Sequence, residues 1–151
     1  MRGYTYSSEP GVTVARARAV EEDMSPKKTY EVLNAIRGRD LSTARTILEE
    51  AAEGRRAIPF RRYNQETAHH PGSGPGRFPK KVCRRLLTLL QNAESNAEYE
   101  GLDVDRLYVR VASSARGRIK RANMPRAQGR GTPWNEQTTH VEIVLAERRE
   151  D

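Results

Sequence analysis

The sequence predicts an α+β fold with a long protruding β-hairpin. Three observations predict it. Three segments carry apolar residues at helical spacing. Two segments near the C-terminus, Leu107 to Ser113 and Thr139 to Leu145, alternate with the period of two that marks a strand. Between those strands runs RGRIKRANMPRAQGRGTPW, Arg116 to Trp134, with six cations and no Asp or Glu. A basic stretch of that length cannot enter a core, so it must leave the body as an arm.

In chain order, 1–11 is polar and reads as a loosely ordered tail. VTVARARAV (Val12 to Val20) sets Ala15, Ala17 and Ala19 against Arg16 and Arg18, a strand with one small face and one basic face. Ser25-Pro26 opens a helix, with Ser as N-cap and Pro at the first helical position. Tyr30, Leu33 and Ile36 form its apolar stripe, and Gly38 ends it. Lys27 and Lys28 oppose the dipole in its first turn, which makes them candidate phosphate contacts.

Asp40 caps a second helix with the stripe Leu41, Ala44, Ile47, Leu48 and Ala51, stopped by Gly54. The link between these helices is so short that they should pack as a pair. Residues 55–78 read as a long basic loop, Gly- and Pro-rich around HHPGSGPGR. Pro79 starts the longest helix, to about Glu100, with Val82, Leu86, Leu89, Leu90, Ala93 and Ala97 facing inward. Lys80, Lys81, Arg84 and Arg85 crowd its first two turns, again a phosphate-facing pattern.

The last two strands should pair antiparallel. Leu107, Val109 and Val111 face in, and Tyr108 and Arg110 face out. On the return, Val141, Ile143 and Leu145 face in, and His140 and Glu142 face out. Their connection has about a dozen residues a side, so at ~3.3 Å per residue it reaches roughly 40 Å. Pro125 marks its turn region, and Gly129, Gly131 and Pro133 should interrupt pairing on the return limb. The organisation is a single domain over 1–151. It comprises a body (12–112 and 138–147), a hairpin of about 113–137 and a basic loop of about 55–78.

Composition narrows the function. The hydrophobic fraction is 36% and the pI is near 9.9, which points to a polyanionic partner. Of 27 cations, 22 are Arg, whose planar fork matches phosphate and stacks on bases. The charge is segregated. The arm carries +6 and Arg55 to Arg85 carries +8, so the remainder sums to −7 within a total of +7. The candidate nucleic-acid contacts are Lys27, Lys28, Arg61, Arg62, Arg77, Lys80, Lys81, Arg84, Arg85, Arg110, Arg116, Arg118, Lys120, Arg121, Arg126 and Arg130.

Other classes are disfavoured. Cys83 is the only cysteine, so there is no disulfide and no thiol metal site, and it reads as a small core residue. Adjacent His69 and His70 lack the further ligands a metal needs. No apolar run approaches membrane-spanning length, and the sequence predicts a soluble, intracellular chain with no cofactor. No paired nucleophile and base or nucleotide loop points to an enzyme. The rival binding class is a DNA-bending protein whose basic arm carries Pro125 as a wedge.

KRANMPRAQGR, followed after a short gap by TTHVEIVL, resembles the large-subunit ribosomal protein family called L-twenty-two in bacteria and L-seventeen in eukaryotes. SPKKTYEVLNAIRGRDLSTARTILE is similar to its first two helices and FPKKVCRRLLTLLQNAESNAE to its third. The resemblance covers about Val12 to Glu147, and GPGRFPKK is of the archaeal and eukaryotic type. It implies three helices packed on a small three-stranded antiparallel sheet with a protruding hairpin. It implies a non-enzymatic, cytoplasmic protein of the large subunit that binds several domains of rRNA, supports assembly and touches neighbouring ribosomal proteins. The candidate cations above would be its rRNA contacts. The hairpin tip (Arg121, Met124, Pro125, Arg126 and Gln128) would line the exit tunnel and meet the nascent polypeptide.

Overall fold

A computed structural model describes residues 4–7, 11–62 and 64–148. The period-two alanines form strand β1 (Ala15–Glu22), with Ala15 and Ala17 buried as expected. Helix α1 (Pro26–Ile36) follows with Pro26 in its first turn. The Ser25 carbonyl accepts both the N–H and the hydroxyl of Thr29 at 2.9 Å, while the Ser25 side chain makes no cap bond. Val32, Leu33 and Ile36 fill the core and Thr29 is buried one turn before them, whereas Tyr30, the first residue of the predicted stripe, stays at the margin.

Helix α2 (Leu41–Glu53) buries all five predicted stripe residues and ends on Gly54 in the left-handed region at φ 91°. Asp40 occupies the N-cap position but makes no cap bond; its carboxylate pairs with Arg148 at 2.8 Å. The expected loop contains structure. Strands β2 (Ile58–Pro59), β3 (His69–His70) and β4 (Gly74–Arg77) form a miniature antiparallel sheet in the order β2-β4-β3. Ile58 and Phe60 are buried in the main core and pin this lobe to the body. Two apolar anchors among so many polar residues gave no periodicity to read.

Helix α3 (Lys80–Tyr99) buries its predicted stripe together with Cys83. Burial raises the Cys83 thiol from its ordinary 9.0 to about 11. α2 packs chiefly on α3, and α1 chiefly on the strand that follows, β5 (Leu107–Lys120), so the expected α1–α2 pair is a minor contact. Beyond β5 come β6 (Asn123–Pro125), β7 (Gly131–Pro133) and β8 (Glu136–Glu147).

The main sheet is antiparallel with the order β1-β8-β5, and the helices cover one face. Its inward residues Val141, Ile143, Leu145, Leu107 and Val109 agree with the alternation. Each buried aliphatic side chain of this kind contributes about 1.5–3 kcal/mol. Val111 departs from the prediction. A bulge separates Val109, opposite Leu145, from Val111, opposite Val144, so Ala112 takes the inward position. The bulge coincides with contacts on the open edge of β5. The Val109 carbonyl accepts Gly38 N–H and the Val109 N–H reaches the Arg39 carbonyl, both at 2.8 Å. The short α1–α2 link is thereby stitched to the strand where the bulge begins.

Glu142 is on the outer face, as predicted, yet it is only 5% exposed. Its carboxylate accepts the backbone N–H groups of Thr5 (2.9 Å) and Tyr6 (3.1 Å). Arg16 lies over the Tyr4 ring and Arg110 over the Tyr6 ring. Residues 4–7 of the expected loose tail are therefore tied across the sheet; 1–3 and 8–10 lie outside the described residues, as do 149–151 at the other end.

The arm is more regular than expected. β5 and β8 pair from Leu107 opposite Glu147 out to Lys120 opposite Glu136. β6 and β7 then pair Asn123 with Pro133, Met124 with Thr132 and Pro125 with Gly131. The predicted loss of pairing at Gly131 and Pro133 does not occur. The irregularities fall instead at a register shift between Arg116 and Ile119 and at 121–122 and 134–135, where the strands break between the two ladders although Trp134 still bonds Ala122. Neither Pro125 nor Pro133 needs a ladder N–H there, and Gly131 fits an unstrained extended strand.

Candidate nucleic-acid interface

Fifteen of the sixteen candidate cations are exposed, and Arg110 is half-buried. The fold draws five of them into one groove of about 650 Å³, between the first turn of α1, the small lobe and the base of the arm. Lys27 and Lys28 come from α1, Arg62 and Arg77 from the lobe, and Arg116 from β5. The three sources are far apart in sequence. What joins them is the Ile58 and Phe60 anchor on one side and the β5 to β8 ladder on the other.

Among the described residues one acid, Glu31, lines the groove, and it is committed internally. Glu31 is 3% exposed, and its Oε1 accepts the Arg62 backbone N–H at 2.9 Å. It therefore positions the lobe and presents little negative charge to the groove. The Arg62 guanidinium lies 4.7 Å from the centre of the Tyr30 ring. Arg77 lies over Phe60 at 5.4 Å and donates to the Thr67 hydroxyl at 3.3 Å. Each guanidinium thus lies over an aromatic ring beside the groove while its residue stays exposed, a placement from which it can reach phosphate.

The α3 terminus forms a second basic patch. Lys80, Lys81, Arg84 and Arg85 are all exposed there. Lys81 pairs with Asp23 at 2.6 Å, and Arg85 approaches Glu22 at 3.9 Å. The Lys81 hydrogen bond and charge hold the Asp23 carboxyl below its ordinary value, with smaller help from Lys120 and Arg85. Both pairs are exposed and screened by solvent, so a polyanion can compete for the cations. Lys80 crosses Gly54 so closely that a Cβ there would sit 2.9 Å from the lysine Cε and Nζ.

Along the arm, Arg116, Arg118, Lys120 and Arg121 mark the proximal part, and Arg126 and Arg130 bracket the apex. The Arg126 N–H donates to the Arg130 carbonyl at 2.7 Å, and Gln128 sits in the left-handed region at φ 62°. Met124, Pro125, Arg126 and Gln128 are therefore apical, whereas Arg121 lies lower, at the interruption between the ladders. Arg110 faces the N-terminal segment and takes no part in the groove. Arg61 is exposed at the edge of a smaller cavity beside Arg39 and Arg56.

Sequence reasoning missed Tyr30, Phe60 and Glu31 as parts of this surface. The helical spacing places Tyr30 on the apolar stripe, and no local pattern reveals that Glu31 anchors a backbone N–H thirty-one residues away. His70 packs edge-on against Phe78 with ring centres 5.0 Å apart. Among the described residues no group of acidic, Cys and His side chains is arranged to hold a metal. Among the described residues no helix is long and apolar enough to cross a membrane.

The family described as Ribosomal protein L22p/L17e matches residues 17–146 of this chain. "Large ribosomal subunit protein uL22" of Methanopyrus kandleri is 44% identical over 138 residues, covering 89% of this chain and 87% of its own. The protein of the same name from Methanothrix thermoacetophila is 44% identical over 147 residues, covering 95% and 97%. The one from Archaeoglobus fulgidus is 41% identical over 148 residues, covering 96% of each chain.

Proposed function

The chain belongs to the Ribosomal protein L22p/L17e family, and from that premise we propose how its surface meets its partners. It is a structural constituent of the large ribosomal subunit that binds the subunit's rRNA and supports its assembly. The family is structural rather than catalytic, and our reading of this chain is non-enzymatic, with no cofactor. The groove of Lys27, Lys28, Arg62, Arg77 and Arg116 holds rRNA phosphates, and the α3 cations and the arm extend that contact. The apex, with Met124, Pro125, Arg126 and Gln128, faces the nascent-peptide exit tunnel and touches the growing polypeptide. Neighbouring large-subunit proteins adjoin the remaining surface.

The observation that carries the rRNA reading is the groove. Five cations from three separate parts of the chain converge there around a single carboxylate that is already hydrogen-bonded. Neutral packing does not call for such an arrangement, whereas a folded polyanion does. Gradient sedimentation of tagged protein tests it. The tag should travel with the large subunit in high salt, and the purified protein should prefer structured large-subunit rRNA to duplex DNA at matched salt. A preference for duplex DNA would favour the DNA-bending alternative and sink this reading.

A further inference from the structure

We propose that Trp134 is a stacking platform for an unpaired base of the rRNA, a role that rests on the rRNA reading above. Trp134 is 53% exposed on the arm. Among the described residues no ring and no cation stacks on its indole. An indole left half in water gives up much of the burial that stabilises tryptophan elsewhere, and it contributes nothing to the core.

Its place in the arm makes it a fixed object. Trp134 sits at the interruption between the β5–β8 and β6–β7 ladders. Its backbone N–H donates to the Ala122 carbonyl at 2.6 Å, and the Ala122 backbone N–H donates to Asn135 Oδ1 at 3.3 Å. The backbone is tied on both sides of the break, so only two side-chain torsions remain to be ordered on binding. The surroundings choose the partner. Arg116 to Trp134 carries six cations and no acid, so a polyanion must lie along it. Phosphates satisfy the cations but do not satisfy an indole face. A base does, and only an unpaired base offers its π-face to a side chain.

Trp134 is the chain's only tryptophan, so its emission reports this position alone. Full-length protein is titrated with protein-free large-subunit rRNA, with a short oligouridine, and with an abasic ribose-phosphate chain of the same length. The rRNA and the oligouridine should quench the emission and shield it from acrylamide; the abasic chain should bind without quenching. Trp134→Phe should keep most of the rRNA affinity, and Trp134→Ala should lose about 5- to 150-fold, the value of one stacked base. Unchanged emission with rRNA binding intact would overturn the inference and leave the rRNA reading standing. Equal quenching by the abasic chain would do the same. Failure of the wild-type protein to bind rRNA at all would overturn the rRNA reading and this inference with it.

Discussion

Replacing Arg62, Arg77 and Arg116 together by Gln removes three of the five groove cations while keeping side-chain bulk. The fold should survive. Arg62 and Arg77 lie over Tyr30 and Phe60, and exposed contacts of this kind are worth about 0.5–1 kcal/mol each. A loss below about 2 kcal/mol is small against the ~5–15 kcal/mol of an ordinary domain. Binding should change far more. Each phosphate contact contributes about 0.7–0.9 to the slope of log affinity against log salt, so the slope should flatten by about 2–3. Between about 50 and 200 mM salt, the wild type should lose about 20- to 40-fold more affinity than the variant does. The assay is filter binding to protein-free large-subunit rRNA across that range, with circular dichroism as the check on folding. Parallel slopes in a folded variant would refute the groove as a phosphate site.

Further outcomes follow from individual residues. Gly117→Ala should destabilise the arm base by about 1–3 kcal/mol, because its Cβ would overlap the Thr138 hydroxyl and lie 3.2 Å from the Thr138 carbonyl; an unchanged melting curve would contradict this packing. Deleting residues 122–128 should change body stability by no more than about 0.5 kcal/mol, since no residue of 113–137 belongs to the apolar core; calorimetry checks it. Cys83 should resist a thiol reagent at pH 8 in the folded chain and react at once in denaturant, because its thiol is raised to about 11. The same shift fixes the sign of its pH effect. Below pH 9.0 the thiol is protonated in both states, and stability should fall as pH rises from there through about 11, since only the unfolded chain releases the proton readily.

The helices were legible because each buries one continuous stripe, as Val82 to Ala97 on α3 shows. β8 was legible for a related reason: Val141, Ile143 and Leu145 recur at every second position on its inward face, and it lies between two partners. What stayed hidden depends on contacts between distant backbones. The bulge after Val109 lies where β5 bonds the carbonyl and N–H of the α1–α2 link, a contact that no spacing within β5 encodes. The burial of Glu142 depends on Thr5 and Tyr6, more than 130 residues upstream. Segregated charge identified the two basic regions, since blocks of one sign are visible in a linear string. Their meeting in one groove was not visible, because Ile58 and Phe60 set it through tertiary packing.

A density map of the large subunit with this protein in place tests the reading most directly. The groove of Lys27, Arg62, Arg77 and Arg116 should lie against rRNA backbone, with Met124 to Gln128 at the wall of the exit tunnel and Trp134 against an unpaired base. A groove facing solvent, with the arm lying along the outer surface of the subunit, would contradict it.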